Sequence, residues 1–502
     1  MPGLCKPPSP HRGGGLFLAF SVYLSTNHNL TQMGHIAESR GREKREYRRN
    51  MRKREGKCNI FPSATNQTKH IDTNEMLLYT CSKLVFNWFL TSLGGIRTGT
   101  YRIRGNGYMM HDPKHLRVAY IGGGSRGWAW KLMADLAIEP GLSGVVSLYD
   151  IDRQAAEHNQ IIGNRISARP DAPGKWRYEV AGTLGEALTG ADFVIVSILP
   201  GTFAEMAADV HLPERHGIYQ SVGDTAGPGG IVRALRTIPM YAEIGRAIRD
   251  YAPQAWVISY TNPMTLCTKT LYHVFPEIKA FGCCHEVFGT RDMLAGIYAS
   301  VTGDRDVKRS DVDVNVVGIN HFTWFTAASC KGTDLFPLYR EYIEEHYDEG
   351  FSEPGQDWTK CVFDSMNRVK FDLFLRYGYI AAAGDRHLAE FMPGDMYLKD
   401  PETARRWKFT LTSVAWREKD LAERLEMSKT LVSGKKDADL IPSGEEGVMQ
   451  MKALSGLGRL VSNVNMPNGA RQIGNLPQDE VVETNVVLER DSVRPIQAGV
   501  LP

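Results

Sequence analysis

The chain has 502 residues, 42% of them hydrophobic and 23% charged, which is enough for two or more domains with a large core. Its formal net charge of +2 is unevenly distributed. Residues 1–112 carry 17 Lys and Arg against 7 Asp and Glu, whereas residues 113–502 carry 42 against 50. The acidic part of the chain therefore lacks the basic surface that nucleic-acid binding needs, and we expect no nucleic-acid partner.

The first 112 residues show no pattern typical of a folded domain. Ten Lys and Arg lie between positions 40 and 57. Such a charge run is typical of a disordered tail, and a nucleic-acid or nuclear-localisation signal is the alternative interpretation. We expect residues 1–112 to be a basic, low-complexity, disordered extension. We also expect the working protein to begin near Met109.

Membrane and disulfide signals are weak. Two apolar stretches, residues 16–24 and 76–93, are too short or too interrupted to span a bilayer, so we expect no membrane association. The eight cysteines form no C-x-x-C pair, and we recognise no signal peptide. These features predict reduced thiols in a cytoplasmic protein.

The pattern of residues 116–150 is that of a strand, a glycine turn, a helix and a second strand. An apolar run at 116–121 is followed at once by GGGSRG at 122–127, and residues 128–137 have helical spacing. A second apolar run at 145–149 ends at Asp150. The segment therefore predicts a βαβ unit.

The glycine turn of this unit is suited to a dinucleotide. Glycines at 122, 123 and 124, followed by Ser125, allow the backbone to approach a pyrophosphate at the start of a helix. The turn does not match G-x-G-x-x-G fully, so a plain tight turn is the alternative interpretation. Asp150, at the end of the second strand, favours a ribose contact and hence NAD over NADP. The predicted cofactor residues so far are Gly122, Gly123, Gly124, Ser125 and Asp150.

Three further segments are expected to reach the same edge of the sheet. The strand at 191–198 ends in a turn that contains Ser197 and Pro200, which we expect to contact the cofactor. Residues 219–230 hold four glycines and a proline, and precede helices expected from about 231 and at 241–250. They predict either a mobile surface loop or a loop that faces cofactor and substrate. The strand at 256–260 ends at Asn262.

Two more strands end in groups with reactive side chains. The strand at 278–282 is followed by Cys284, His285 and Glu286, and the strand at 312–319 by Asn320 and His321. The spacing of Cys284 and His321 matches no standard metal motif, so from the residues alone a buried thiol and a packed histidine are the simpler interpretation.

The remainder of the chain has mostly helical patterns. We expect helices at 360–377 and 400–433, and strands at 461–468 and 481–488 that return to the sheet. Between the helices, residues 381–391 combine alanines with Asp385, Arg386, His387 and Glu390. This cluster is either an exposed turn or a buried site with shifted pKa values. The sequence predicts an α/β fold: a Rossmann-like, doubly wound sheet at 113–300 and a second, mostly helical α+β domain at 301–502.

Taken together, several motifs in this order resemble glycoside hydrolase family 4, the NAD- and divalent-metal-dependent glycosidases. The resemblance extends from about residue 116 to the end of the chain. The motifs are IGGGS at 121–125, GDTAGPGG at 223–230, YTNP at 260–263, CHEV at 284–287 and GINH at 318–321. The CHEV tetrad looks like that of the family's α-galacturonidases, which act on pectic oligosaccharides. Family members continue beyond the match to 493–496, so the resemblance also implies either a missing terminal helix or a gene model that is cut short.

The resemblance implies a redox route to hydrolysis, an exception to the usual two-carboxylate mechanism. NAD oxidises C3 of the sugar, a base removes the acidified C2 proton, the glycosidic oxygen leaves, water adds at C1, and the hydride returns. Mn²⁺ or another divalent metal would be held by Cys284 and His321. His285 would be the acid for the leaving group. His387 takes the place of the family's tyrosine base, and Asp385 is its rival.

The resemblance further implies that Asn262 and Asn320 bind sugar hydroxyls and that the protein is a homodimer or homotetramer. A uronate carboxylate needs a cation, for which Arg386 is the first candidate and Arg233 and Arg236 are alternatives. For any single one of them, a surface arginine is the simpler interpretation. The competing functions are a neutral or glucuronic α-glycosidase with the same mechanism, an ordinary NAD-dependent dehydrogenase, and a non-catalytic NAD sensor.

Overall fold

Six short segments, most of them apolar, form parallel strands in the computed structural model, which describes residues 112–502. The predicted disordered extension and the start near Met109 lie outside the described residues. Neighbouring strands are parallel and follow the spatial order 3-2-1-4-5-6, which is that of a doubly wound dinucleotide-binding sheet. The strands are β1 Leu116–Ile121, β2 Ser143–Tyr149, β3 Lys175–Val180, β4 Phe193–Val196, β5 Trp256–Ser259 and β6 Lys279–Gly282.

Helices cover both faces of this sheet because successive strand residues point to opposite sides. Val118 and Tyr120 of β1 belong to one buried cluster, and Ala119 and Ile121 belong to another on the opposite face. Both faces are therefore apolar, as expected of buried parallel strands. The helices of this region are α1 Trp128–Ile138, α2 Arg153–Ala168, α3 Leu184–Leu188, α4 Phe203–His211, α5 Gly227–Tyr251, α6 Met264–Val274 and α7 Glu286–Thr302.

Three antiparallel strands from the end of the chain extend the sheet beyond β6. They are β11 Leu460–Pro467, β12 Val481–Glu489 and β13 Ser492–Pro495. Asn465 of β11 pairs with Gly282 of β6, and β12 and β13 follow outward. The predicted return of the late strands to the sheet is confirmed. The sheet thus takes strands from both sides of the expected boundary at residue 300.

The intervening residues form a smaller antiparallel sheet surrounded by helices. Its strands are β7 Val312–Ile319, β8 Phe322–Cys330, β9 Thr333–Asp334 and β10 Ile380–Ala381. With the doubly wound sheet, this confirms the predicted fold class. The helices are α8 Leu335–His346, α9 Arg368–Tyr377, α10 Asp385–Phe391, α11 Gly394–Tyr397, α12 Pro401–Arg406, α13 Val414–Ser433 and α14 Gly447–Leu454. None of the helices between residues 112 and 502 combines the length and apolarity needed to cross a membrane.

Three predicted helix boundaries are wrong. The two helices expected from about 231 and at 241–250 are one helix, α5, which continues through Pro239 because its buried face packs on the sheet. The helix expected at 360–377 begins at 368, since Asn367 has a φ of 57° that a helix cannot contain. The helix expected at 400–433 is divided between α12 and α13, and Ser413 caps the second part.

A buried amide fixes the glycine turn that follows β1. Asn159 of α2 has no exposed surface, and its Nδ2 donates to the carbonyls of Gly123 (2.8 Å) and Ser125 (3.0 Å). Its Oδ1 accepts from Trp130 Nε1 at 2.8 Å. All the hydrogen-bonding groups of the side chain are therefore used to join the turn, α1 and α2.

Asn159→Leu should lower the thermal unfolding midpoint by several degrees. The substitution removes the partner of one buried carbonyl, one partly buried carbonyl and a partly buried indole N–H, at up to about 1–3 kcal/mol each. Circular dichroism melting measures the change. The matched control is Gln154→Leu, which removes an exposed amide from the same helix. Equal midpoints for the two variants would contradict the assigned role of Asn159.

Candidate active site

The glycine turn lies against the carboxyl ends of β1, β2 and β4. Gly122 has a φ of 89°, and a Cβ there would lie 2.0 Å from the carbonyl oxygen of Ser197. The N–H of Gly124 donates to Asp150 Oδ2 at 2.8 Å. These contacts require glycine and bring the predicted cofactor residues Gly122, Gly123, Gly124, Ser125, Asp150 and Ser197 together, with buried Pro200 in the loop that follows.

A second cluster consists of Asp224, His321 and His387. One potential ligand atom from each lies within 4.8 Å of the others. Asp224 belongs to the glycine-rich loop before α5, His321 to the turn between β7 and β8, and His387 to α10. The two imidazole rings are stacked with centroids 3.7 Å apart. Among the His, Cys, Asp and Glu side chains of residues 112–502, these three form the group whose spacing suits a metal ion.

The protonation of His321 follows from its neighbours. Thr225 Oγ1 donates to Asp224 Oδ1 at 2.7 Å and also lies 2.9 Å from His321 Nδ1. Because the hydroxyl has one proton, its oxygen accepts from His321 Nδ1–H. Burial, together with the charge of His387, lowers the pKa of His321 to about 3, so the imidazole is neutral. Its Nε2 therefore carries a lone pair that can bind a cation.

The pKa of His387 is shifted in the opposite direction. Its Nδ1 lies 3.1 Å from Oε1 of Glu286, at the start of α7, and both side chains are mostly buried. Burial opposes ionisation of both groups, but the attraction between them raises the pKa of His387 and holds that of Glu286 well below its usual value. Burial would also raise the pKa of Asp224, but Arg233 and the two histidines lower it, so the group is ionised.

Two carboxylates hold the surrounding loops in place. Glu286 Oε2 accepts from the N–H of Gly384, just before α10. Glu390 of α10 accepts from the N–H groups of Val222 (2.6 Å) and Gly223 (2.8 Å) in the glycine-rich loop. The loop that carries Asp224 and the helix that carries His387 are therefore joined to each other and to the end of β6.

Cys284 and His285 follow β6, as expected, but lie in different surroundings. Cys284 is buried, and burial raises its pKa, while a hydrogen bond with Asn320 lowers it. The thiol is not part of the Asp224, His321 and His387 group. His285 is half exposed, with Nδ1 3.3 Å from Glu445 Oε1 and its ring beside Trp128 at the start of α1. Burial lowers the pKa of His285, but Glu445 and the other nearby carboxylate, Glu286, outweigh this effect, so the pKa is raised above its usual value.

Asp385 and Arg386 are both buried and already engaged. The two oxygens of Asp385 accept from the N–H groups of Val369 (3.3 Å) and Lys370 (3.2 Å) at the start of α9. Arg386 Nη2 donates to the carbonyl of Ser221 at 2.8 Å and to the hydroxyl of Thr412. These contacts support the interpretation of residues 381–391 as a buried segment, and they give Asp385 and Arg386 structural partners.

Asn262 and Asn320 flank the cluster and leave acceptors free. Asn262 Nδ2 donates to Asp224 Oδ2 at 3.3 Å, and Asn320 Nδ2 donates to Glu483 Oε2 at 3.3 Å. In the described part of the chain, five buried polar atoms near the cluster have no hydrogen-bond partner: Asn262 Oδ1, Asn320 Oδ1, Arg386 Nε, His387 Nε2 and Glu390 Oε2. Buried polar atoms normally have partners, so this concentration fits a polar ligand or a metal ion.

Sequence reasoning gave no role to several residues of the site. Asp224 lay in a loop expected to face the ligand, but the loop's composition did not single it out. Glu286 was recognised as a carboxylate next to Cys284 and His285 without a function. Asn159 and Glu390 act through contacts with residues distant in sequence, for which the local pattern carries no signal.

Two family models match the chain. "Family 4 glycosyl hydrolase" matches residues 117–299, and "Family 4 glycosyl hydrolase C-terminal domain" matches residues 316–502. Together they cover more than half of the chain, including the glycine turn, the Asp224 loop, His321 and His387.

Curated relatives align over most of the described residues. An α-galacturonidase of Lachnoclostridium phytofermentans is 63% identical over 387 residues, which are 77% of this chain and 83% of the relative. An α-galacturonidase of Thermoanaerobacterium saccharolyticum is 58% identical over 394 residues, 78% of this chain and 84% of the relative. An α-galactosidase of Bacillus subtilis is 27% identical over 395 residues, 77% of this chain and 84% of the relative.

Solved structures share the architecture. The crystal structure of the Bacillus subtilis protein lplD is 53% identical, with a TM-score of 0.74 over 78% of this chain and 87% of that one. A 6-phospho-α-glucosidase from gut microorganisms, solved with NAD and Mn²⁺, is 21% identical, with a TM-score of 0.59 over 78% of this chain and 85% of that one, a likeness of fold. With both family models matched and relatives above 50% identity, the chain belongs to family 4 of the glycosyl hydrolases.

Proposed function

We propose that the protein is an α-galacturonidase that uses NAD and a divalent metal, with Mn²⁺ as the first candidate. The substrate assignment rests on sequence identity. The chain is 54–63% identical to four α-galacturonidases, about twice its identity of 26–27% to two α-galactosidases. The structure supports the use of a metal and NAD through two features: the Asp224, His321 and His387 group has a spacing that suits a metal ion, and the glycine turn after β1 suits a dinucleotide. The product would be free galacturonate, with no net oxidation.

Residues 113–300 form the proposed NAD domain. A Cβ at Gly122, Gly123 or Gly124 would clash with neighbouring protein atoms, so the turn packs closely on the sheet, and its bare backbone suits close approach of a pyrophosphate. Asp150 would accept hydrogen bonds from the adenosine ribose. Ser197 and Pro200 would border the cofactor at the end of β4.

Residues 301–502, with the β6 terminus, supply the proposed metal and sugar site. Cys284 and His321 remain the proposed metal ligands, and Asp224 is available as a further donor beside His321. Thiolate, imidazole and carboxylate together suit a divalent transition metal. NAD supplies a reversible hydride acceptor for C3 of the sugar, and the metal supplies positive charge that makes the C2 proton acidic. Asn262 and Asn320 have free acceptors for sugar hydroxyls.

The proposed base is His387. Its Nδ1 is held by Glu286, while its buried Nε2 has no partner among residues 112–502 and can exchange a proton with a ligand. Asp385 is less suited, because both of its oxygens accept backbone N–H groups. His285 is the proposed acid for the leaving group. It lies at the start of α7 with Glu445 as its partner and has an exposed ring.

We also propose that the protein is cytoplasmic, acts on a small-molecule sugar substrate and forms a homodimer or homotetramer. The reduced cysteines of the described chain support the first point, because an oxidising compartment would favour disulfides. A sedimentation measurement would determine the oligomeric state.

Cys284→Ser and His321→Ala should each weaken Mn²⁺ binding by more than about tenfold, the lower bound for loss of even an outer-shell partner. The free Mn²⁺ signal in electron paramagnetic resonance measures binding without reference to turnover. Cys283→Ser, which changes the adjacent buried thiol, is the matched control and should bind normally. Normal binding by Cys284→Ser with loss in Asp224→Asn would move the metal to the Asp224, His321 and His387 group.

The substrate assignment is tested with four aryl α-glycosides in parallel, in the presence of NAD⁺, Mn²⁺ and a reducing agent. The galacturonide should be hydrolysed with the highest kcat/KM, ahead of the glucuronide, the galactoside and the glucoside. Preference for a neutral sugar would overturn the uronate assignment. Accumulation of NADH in proportion to product would instead identify an ordinary dehydrogenase.

A further inference from the structure

The loop that carries Asp224 is surrounded by arginines, and three of them have identified partners. Arg236 forms an ion pair with Asp209. Arg233 Nε donates to the carbonyl of Asn262 at 3.1 Å, and Arg386 is bonded to Ser221 and Thr412. The arginines that the sequence offered for a substrate carboxylate are thus partly or wholly committed to the protein itself.

Arg417 differs from these three. It lies one turn into α13, is half-buried, and its side chain has no hydrogen bond or ion pair with any residue from 112 to 502. The carboxylate of Asp224 lies within electrostatic range of its guanidinium, as does that of Asp420, which already accepts from Arg424 Nε at 2.7 Å. A half-buried guanidinium without a fixed partner is uncommon, because its five donors need acceptors.

The position of Arg417 is fixed by the backbone rather than by its own side chain. The N–H of Thr412 donates to the carbonyl of Ser221 at 3.2 Å, at the start of the Asp224 loop. Ser413 then caps α13 by accepting from the N–H of Trp416 at 3.2 Å. The first turn of α13 is therefore attached to the loop, which keeps Arg417 beside the cluster whether or not a ligand is bound.

Arg417 lies among charges of both signs. Burial lowers the pKa of Arg386 to about 10, and the positive charge of Arg417 contributes to that change. Arg233 and Arg417 also repel each other. Arg417 is thus within electrostatic range of two other guanidinium groups, and Asp224 and Asp420 offset part of this positive charge. Since its donors have no fixed partner among residues 112–502, Arg417 can bind a further anion, and a carboxylate accepts two parallel hydrogen bonds from a guanidinium.

We propose that Arg417 binds the carboxylate of the uronate substrate and thereby selects galacturonate over galactose, an inference that rests on the proposed function. The carboxylate on C5 lies across the pyranose ring from C2 and C3. A residue beside the Asp224, His321 and His387 group, but not part of it, has the placement that this recognition requires. Arg386 then has a structural role, connecting α10 to Ser221 and Thr412.

The test compares D-galacturonate with D-galactose as inhibitors of the holoenzyme, with NAD⁺ and Mn²⁺ present, together with KM and kcat for aryl α-galacturonide. Arg417→Met should weaken galacturonate binding by about a hundredfold relative to galactose, the effect expected for loss of a charged hydrogen-bonded pair. KM should rise more than kcat falls. Arg417→Lys, which keeps the charge but loses the two-pronged contact, should give an intermediate ratio and decides the question if the Met variant does not fold.

Lys419→Met is the matched control, because it removes an exposed positive charge from the same helix and should leave the ratio unchanged. An unchanged galacturonate-to-galactose ratio in both Arg417 variants would overturn the proposal. A wild-type enzyme that hydrolyses no galacturonide but does hydrolyse a neutral glycoside would overturn the proposed function instead. The wild-type substrate preference and the effect of the variants are therefore separate results.

Discussion

The site depends on one mostly buried carboxylate, Glu286. Its Oε2 accepts a hydrogen bond from the N–H of Gly384, and its Oε1 lies 3.1 Å from Nδ1 of His387. Glu286 therefore joins the end of β6 to the segment that contains α10. Nδ1–H of His387 donates to this carboxylate, which leaves the lone pair of the neutral imidazole on Nε2. Glu286 therefore fixes both the position and the tautomer of the histidine that faces His321 and Asp224. The pKa values of the two stacked imidazoles are shifted in opposite directions, that of His321 downward and that of His387 upward.

The doubly wound sheet explains why these groups meet. The carboxyl ends of β1, β4, β5 and β6 face the same edge, where such sheets bind ligands. The glycine turn, the Ser197 loop, Asn262 and Cys284 each follow one of these strands. The smaller sheet adds His321 at a two-residue turn with a φ of 64°, a conformation that costs a non-glycine side chain about 1–2 kcal/mol. The cofactor turn and His321 are thus set by strand ends, whereas Asp224 comes from the glycine-rich loop before α5 and His387 from α10.

Local sequence predicted the features that local physics determines. Apolar runs with glycine turns identified most strands of the large sheet, and the turn at Gly122 was recognised because only glycine allows that backbone approach. The helix predicted at 360–377 begins only at 368, because Asn367 has a positive φ. The spacing of apolar residues does not reveal a single residue with that backbone conformation. Arg386 was favoured for the substrate because it adjoins His387 in sequence. Arg417 was not considered, since its closeness to Asp224 depends on contacts between segments far apart in the chain.

The central claim is that hydrolysis proceeds through loss of the C2 proton at the cluster around His387. Hydrolysis of aryl α-galacturonide in D₂O, with the product examined by NMR, tests this most directly. The account predicts deuterium at C2 of the released galacturonate, because a bond to that carbon is broken and re-formed with solvent. Product that contains only hydrogen at C2 after complete hydrolysis would contradict it, since direct displacement at C1 never breaks that bond.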